Sequence, residues 1–210
     1  MRSPARKLKK SAVKNIVRFP AIKSGSGKSI LVESILESKY CLHLEFDSRV
    51  KTYFPQPRTF SVFIDGEERK YTPDFEVHYV SGACKYVEVK PLEHSQGEWY
   101  QKLFSSFEAS LENPNISFLL VDEMEITRQP LLSNYEKLYQ YRKRPIQDMR
   151  NLYQCAESVG NTMLLSRMIT KLKGKASLRE IYSWLALGYL KFDISSEHLK
   201  ETTEVTFDVC

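Results

Sequence analysis

Tyr71-Thr-Pro-Asp-Phe-Glu-Val-His-Tyr-Val80 and Lys85-Tyr-Val-Glu-Val-Lys90 are the two segments around which this sequence is organised. Each alternates apolar and polar residues, which is the pattern of a strand buried on one face. A short turn containing Ser81-Gly82 separates them. Two alternating segments joined by such a turn predict an antiparallel hairpin at the centre of the fold.

The hairpin carries three charged residues in a pattern that indicates a catalytic site. Asp74 follows Pro73 at the start of the first strand, and thirteen residues separate it from Glu88-Val89-Lys90 on the second. Side chains two apart share one face of a strand, so Glu88 and Lys90 are predicted to lie together. Two carboxylates beside an ammonium group suit a divalent metal and phosphodiester cleavage. A surface ion pair with an unrelated turn aspartate is the simpler alternative.

A third carboxylate is predicted on the helix that precedes these strands. Apolar residues recur at helical spacing between Ser29 and Leu44, which predicts a helix over that range. Glu33 and Glu37 lie one turn apart on it. Nuclease sites of this kind commonly take a further carboxylate from the preceding helix, and Glu37 is the first candidate, with Glu33 in reserve. Exposed glutamates that pair with nearby lysines are the alternative.

The rest of the first 127 residues completes an α/β core over 29–127. Asp65-Gly66 is a strong hairpin turn signal, and a helix with core aromatic residues leads to a short apolar run typical of a buried parallel strand. The predicted strands are Val50–Phe54, Thr59–Ile64, Arg69–Tyr71 and Ile116–Val121, and the predicted helix is Glu98–Leu111 with Trp99, Phe104 and Phe107 in the core.

The segment 128–210 has the pattern of a helical, winged-helix-like α+β domain. Ser177-Leu-Arg-Glu180 is a capping-box pattern that opens a helix ending near Gly188. The other predicted helices are Leu131–Lys143, Pro145–Ser158 and Met163–Lys173, and the predicted wing strands are Tyr189–Ile194 and Glu204–Val209. The capped helix is poor in basic residues, which favours protein contact over DNA contact, although both remain open.

The net charge of +5 is concentrated at the beginning of the chain. Residues 1–28 contain nine basic residues and no acid, which leaves 22 basic against 26 acidic residues elsewhere. Such an arm suits contacts with DNA phosphates. A solvated tail and an organellar transit peptide are alternatives. The predicted DNA-binding residues are Arg2, Arg6, Lys7, Lys9, Lys10 and Lys14.

Other features limit the class of protein. An apolar fraction of 42% supports packed cores, and no apolar run is long enough to span a membrane. Cys41, Cys84, Cys155 and Cys210 form no Cys-x-x-Cys pair, which predicts reduced thiols in a cytoplasmic protein and no zinc site. On the strand of Asp74, Glu76 and His78 share its face as weaker candidates.

The roles of the site residues follow from their charge. Glu37, Asp74 and Glu88 are expected to supply oxygen ligands for one or two Mg²⁺ ions, with Mn²⁺ as a substitute and the Val89 carbonyl as an additional ligand. Lys90 is expected to orient the attacking water or to stabilise charge on the phosphoryl oxygens.

In combination, these motifs resemble the TnsA family of transposon endonuclease subunits, in the short form found in CRISPR-associated transposons. The resemblance covers the whole chain. Its motifs are Arg2-Ser-Pro-Ala-Arg6, Glu33-Ser-Ile-Leu-Glu37, Leu44-Glu45-Phe46-Asp47, Gln56-Pro57, Tyr71-Thr-Pro-Asp74 and Val87-Glu-Val-Lys-Pro91.

The resemblance implies a fold and a function. It implies a restriction-endonuclease-like nuclease domain with a mixed sheet that cuts the 5′, non-transferred strands at the ends of the element, so that the element moves by cut-and-paste. Glu37, Asp74, Glu88 and Lys90 are the residues onto which the family's catalytic set carries over; some relatives have glutamine at the Glu88 position. The implied partners are double-stranded transposon-end DNA, the TnsB transposase and the ATPase regulator TnsC, with no membrane, in the bacterial cytoplasm near the nucleoid. A stand-alone restriction or repair nuclease and a non-catalytic DNA-binding assembly protein are the alternatives.

Overall fold

The computed structural model describes residues 15–25, 29–160 and 162–209, and over them the chain is mixed α/β. Contacts within the chain divide it into two compact units, with the division between Thr127 and Arg128. Within the described residues, none of the helices has the length and apolar character needed to cross a membrane. The predicted DNA-binding residues Arg2, Arg6, Lys7, Lys9, Lys10 and Lys14 lie outside the described residues.

The first unit is built on a four-stranded mixed sheet. In chain order its elements are β1 (Val17–Phe19), β2 (Ile30–Val32), α1 (Ile35–Phe46), β3 (Val50–Pro55), β4 (Phe60–Ile64), β5 (Glu67–Tyr71), β6 (Phe75–Tyr79), β7 (Cys84–Val89), α2 (Leu92–Ser95), α3 (Glu98–Ala109), β8 (Ile116–Val121) and α4 (Glu123–Ile126). The strand order of the sheet is β3-β6-β7-β8. β1 with β2, and β4 with β5, form separate antiparallel pairs.

The predicted central hairpin is confirmed. β6 and β7 pair antiparallel with Phe75 opposite Val87 and His78 opposite Cys84. β8 returns parallel to β7, as the sequence predicts, although of its six residues only Val121 is buried. The single parallel pair makes the sheet mixed, because a strand that returns through α3 enters the sheet in the direction of β7.

The β4–β5 hairpin and α3 enclose an aromatic core. Asp65 and Gly66 have φ of 51° and 82°, which is the left-handed backbone that a two-residue hairpin turn requires. The core of this region consists of Val62, Ile64, Tyr71, Tyr86, Leu103, Phe104 and Phe107. Trp99 was expected there, but it is half exposed, because it lies in the first turn of α3, five residues before Phe104.

The predicted helix over Ser29–Leu44 begins later than expected. Ile30–Val32 instead form β2 against β1, and Leu31 points into solvent between two buried neighbours. Ser34 is the N-cap of α1, and its side chain accepts a hydrogen bond from the Glu37 N–H. The capping signal therefore fixes the start of the helix, and the β-branched residues before it form a strand.

The second unit combines helices with a small antiparallel sheet. Its elements are α5 (Leu131–Lys143), α6 (Met149–Val159), β9 (Thr162–Leu164), α7 (Leu165–Lys171), α8 (Leu178–Leu187), β10 (Leu190–Lys191) and β11 (Glu204–Phe207), and the strand order is β10-β11-β9. The predicted capping box of Ser177 and Glu180 is present, and Gly188 ends α8 with φ of 83°. The first predicted wing strand is shorter than expected, since only Leu190–Lys191 pair.

We expect that Phe107→Ala lowers the free energy of unfolding by roughly 3–5 kcal/mol, the usual cost of truncating a buried phenylalanine. Phe107 is fully buried and packs edge-on against Phe60 and Tyr71, so its removal leaves a cavity. Urea unfolding measures the change. Ser105→Ala, at an exposed position of the same helix, is the control and should change the free energy by less than about 0.5 kcal/mol. Similar effects of both variants would contradict this account of the core.

Candidate active site

Glu37 is held at the start of α1 by a local network. Its carboxylate accepts hydrogen bonds from the Ser34 hydroxyl and from the Glu33 N–H, both at 2.9 Å. The Ser34 hydroxyl in turn accepts from the Glu37 N–H at 3.0 Å. Glu37 is 5% exposed, whereas Glu33 is half-buried. The capping interaction therefore fixes the carboxylate of Glu37, the first candidate for the third metal ligand.

Asp74 and Glu88 are each oriented by a hydrogen bond, one from within the hairpin and one from the end of β5. The Val89 N–H donates to Asp74 Oδ2 at 2.8 Å, which joins the start of β6 to the end of β7. The Tyr71 hydroxyl donates to Glu88 Oε2 at 2.8 Å, and both of those side chains are buried. These bonds orient one oxygen of each carboxylate. Val89, whose carbonyl was a candidate ligand, is buried at the end of β7.

Lys90 lies on the face of β7 that the alternation predicted. Its Nζ is 3.5 Å from Glu88 Oε1 and 4.0 Å from the centroid of the Tyr100 ring. The lysine side chain is 18% exposed. An ammonium group over an aromatic face is attracted by the ring quadrupole, so Tyr100 and Glu88 together position the cation.

The three carboxyl groups affect one another. Burial raises the pKa of Asp74 well above its usual value, and the charges of Glu88 and Glu37 raise it further. The residue as a whole is half-buried, but its carboxyl group is desolvated. Burial also raises the pKa of Glu37, with smaller contributions from Glu33 and Glu88, while the Glu33 N–H and Ser34 oppose the increase. Burial and mutual repulsion therefore disfavour the charged forms of these carboxyl groups as long as no cation is bound.

The donor set fits a hard divalent cation. Carboxylate oxygens are the ligands that Mg²⁺ and Mn²⁺ prefer, and a cation would offset the burial and the mutual repulsion that raise these pKa values. However, the carboxylate oxygens of Glu37, Asp74 and Glu88 do not all lie within 4.8 Å of one another. Among the residues that the structure describes, the one group of three acidic, histidine or cysteine side chains with all ligand atoms within 4.8 Å of one another is Glu76, His78 and Cys84.

No protein-family model and no curated protein matches this sequence. The assignment of the site therefore depends on its geometry and on the resemblance of its motifs.

Gln56, from the Gln56-Pro57 motif of the resemblance, lies beside the site. Its N–H donates to the Asp74 carbonyl at 2.8 Å, and its φ of 40° is a strained value for a side chain larger than glycine. The side chain is 1% exposed, and among the described residues neither its amide oxygen nor its amide nitrogen has a hydrogen-bond partner. Nothing in the sequence signals this, because the strain depends on how β3 ends against β6.

Tyr71 and Ser34 also support the site without having been assigned a role. The Ser34-x-x-Glu37 spacing is a capping-box signal that the sequence already contains. The Tyr71 hydroxyl reaches Glu88 because the β5 end lies against β7, a tertiary relation that the sequence does not encode locally.

We expect that Asp74→Asn stabilises the metal-free protein and abolishes its stabilisation by Mg²⁺. The change removes one of three mutually repelling charges, and each kcal/mol gained raises the melting temperature by about 2–4 °C. Thermal unfolding in EDTA and in Mg²⁺ measures both effects. Asp65→Asn, which removes an exposed charge and keeps a suitable turn residue, is the control. An unchanged response to Mg²⁺ in Asp74→Asn would exclude Asp74 as a ligand.

Gln56→Leu should raise the free energy of unfolding of the metal-free protein by about 1–3 kcal/mol, the cost of leaving a buried polar group unpaired. Chemical denaturation measures this change. Gln96→Leu, at an exposed position, should have little effect. A destabilised Gln56→Leu variant would mean that the amide is satisfied in solution.

Proposed function

We propose that this protein is a metal-dependent DNA endonuclease of the TnsA type, which cleaves the 5′, non-transferred strands at transposon ends. The observation that supports this best is the convergence of Glu37, Asp74 and Glu88, whose charges act on one another, with Lys90 3.5 Å from Glu88. The mixed sheet and the hairpin that carries both motifs agree with a restriction-endonuclease-like nuclease domain.

The metal expected here is Mg²⁺, with Mn²⁺ as a substitute. Glu37, Asp74 and Glu88 would hold it, with the Val89 carbonyl as a further ligand. Such an ion polarises a phosphate and lowers the pKa of a bound water, which supplies a nucleophile at neutral pH.

The residues of the chain supply the orientation. The Tyr71 hydroxyl orients Glu88, the Val89 N–H orients Asp74, and the Ser34 hydroxyl orients Glu37, so the position of each carboxylate is fixed before a cation binds. Lys90, placed by Glu88 and by the ring of Tyr100, stabilises negative charge that develops on the phosphoryl oxygens or orients the attacking water.

The remaining parts of the chain would recruit partners. The second unit, with its helices and three-stranded antiparallel sheet, is compatible with a winged-helix-like domain that contacts TnsB and TnsC. The basic residues 1–28 would bind the phosphates of transposon-end DNA.

Mapping of strand breaks on transposon-end DNA, with TnsB and with or without this protein, tests the proposal. The proposal predicts additional 5′-strand cuts that require this protein, a divalent metal and TnsB. Metal-dependent nicking by the purified chain alone would favour a stand-alone nuclease. No cleavage under any condition, with unchanged DNA binding in Asp74→Ala, would favour a non-catalytic assembly protein.

We expect Lys90→Ala to lower the rate of cleavage by about 100- to 1,000-fold, the usual cost of removing one group that stabilises transition-state charge. Because Lys90 is not a metal ligand, the variant should keep its thermal stabilisation by Mg²⁺, unlike Asp74→Asn. Single-turnover cleavage and thermal unfolding measure the two effects. Lys102→Ala, a change of an exposed lysine on α3, is the control. Full activity in Lys90→Ala would remove the lysine from the mechanism.

A further inference from the structure

A second cluster of ligand-type side chains lies on the central hairpin, towards its turn. Glu76 and His78 are on β6, and Cys84 is the register partner of His78 on β7. Glu76 is two residues from His78, so the three side chains share one face of the hairpin. Their ligand atoms all lie within 4.8 Å of one another, and His78 Nε2 is 2.7 Å from Glu76 Oε1.

The surroundings of this cluster are suited to an ion. Glu76 is 5% and Cys84 is 8% exposed, so two of the three ligand side chains are already removed from water. The His78 side chain is 35% exposed, which leaves a route for an ion to enter and a place for a water molecule as a fourth ligand. The Phe54 ring packs edge-on to His78 at 5.8 Å and limits rotation of the imidazole.

The chemistry of the cluster differs from that of the carboxylate site. A thiolate, an imidazole and a carboxylate are the ligands that Zn²⁺ takes, whereas Mg²⁺ avoids sulfur. Zinc–ligand bonds of 2.0–2.3 Å in a tetrahedron place the ligand atoms about 3.3–3.6 Å apart. The ligand atoms of the cluster lie at most 4.8 Å apart, so shifts of these atoms by roughly 1 Å are enough to reach that spacing.

We propose that Glu76, His78 and Cys84 form a Zn²⁺ site that is separate from the carboxylate site. Asp74 is four residues from His78 and Glu88 is four residues from Cys84, which is about 13 Å along the strands, whereas Glu76 lies between the two sites, two residues from Asp74. An ion bound by Cys84 and His78 connects β6 to β7 across the turn end. The proposal does not depend on nuclease activity, because the ligands and their spacing are those of the second cluster alone.

Cobalt spectroscopy on the full-length protein tests the proposal, because Co²⁺ replaces Zn²⁺ and gives a thiolate charge-transfer band only when a cysteine ligates it. The EDTA-treated protein should show this band on addition of Co²⁺, and Zn²⁺ should displace it. Cys84→Ala should abolish the band. His78→Gln, at a half-exposed position that tolerates substitution, should weaken Zn²⁺ binding at least as much as the roughly 10–100-fold loss that outer-shell changes cause.

Two variants serve as controls for the same measurement. Cys155→Ala removes another buried free thiol and should keep the band, and Asp74→Asn should keep it as well. The absence of a band in the wild-type protein, or its persistence in Cys84→Ala, would overturn the proposal. Loss of the band in Asp74→Asn would show that the thiolate site depends on Asp74 and is therefore not separate from the carboxylate site.

Discussion

The alternation of side chains along the β6–β7 hairpin is the constraint on which the rest of the first unit depends. On one face, Phe75, Val77 and Val87 are fully buried, and Phe75 contacts the rings of Tyr40 and Tyr53. Glu76, Tyr86 and Glu88 on the other face are buried too, so a shift of one residue in the register would exchange the surroundings of the apolar and the charged side chains, and packing on both faces fixes the register. The same register determines which polar side chains meet on the other face. Core packing therefore determines the geometry of the candidate site.

The register of the hairpin places ionisable side chains in buried positions, where their charged forms lower the stability of the fold. Carboxyl groups at one end of the sheet are desolvated and repel one another, and a buried charge without compensation destabilises a fold. The compensation is local: the Tyr71 hydroxyl, the Val89 N–H and the Ser34 hydroxyl each donate to one carboxylate. The aromatic core between α3 and the β4–β5 hairpin supplies stability from a region that carries none of the three carboxylates. A cation would supply the remaining compensation.

Features encoded by neighbouring residues could be predicted from the sequence, and features created by tertiary contacts could not. The central hairpin, the Asp65-Gly66 turn and the Ser177 capping box depend on local spacing, and all three are present. The sequence predicts helix at Ile30–Val32, because three consecutive apolar residues fit a helical and a strand pattern equally well, and only their pairing with β1 makes them a strand. Gln56 belongs to a motif of the resemblance, but its backbone strain and its unpaired amide could not be predicted, since they arise where β3 ends beside Asp74. For the site, charge and alternation were enough to select Asp74, Glu88 and Lys90, whereas their supporting hydrogen bonds required the folded chain.

The isolated cysteines are a second case in which tertiary contacts create a feature that the sequence does not indicate. Without a Cys-x-x-Cys pair the sequence offers no zinc signal, yet strand pairing brings Cys84 opposite His78, which is only six residues away along the chain. Because Asp74, Glu76 and His78 share a face with Cys84 and Glu88, the hairpin presents hard oxygen ligands at its open end and a mixed sulfur, nitrogen and oxygen set near its turn. Ligand hardness, rather than position, would then decide which ion binds where, since Mg²⁺ and Zn²⁺ prefer different donor atoms. One register can thus define two chemically distinct sites on the same pair of strands.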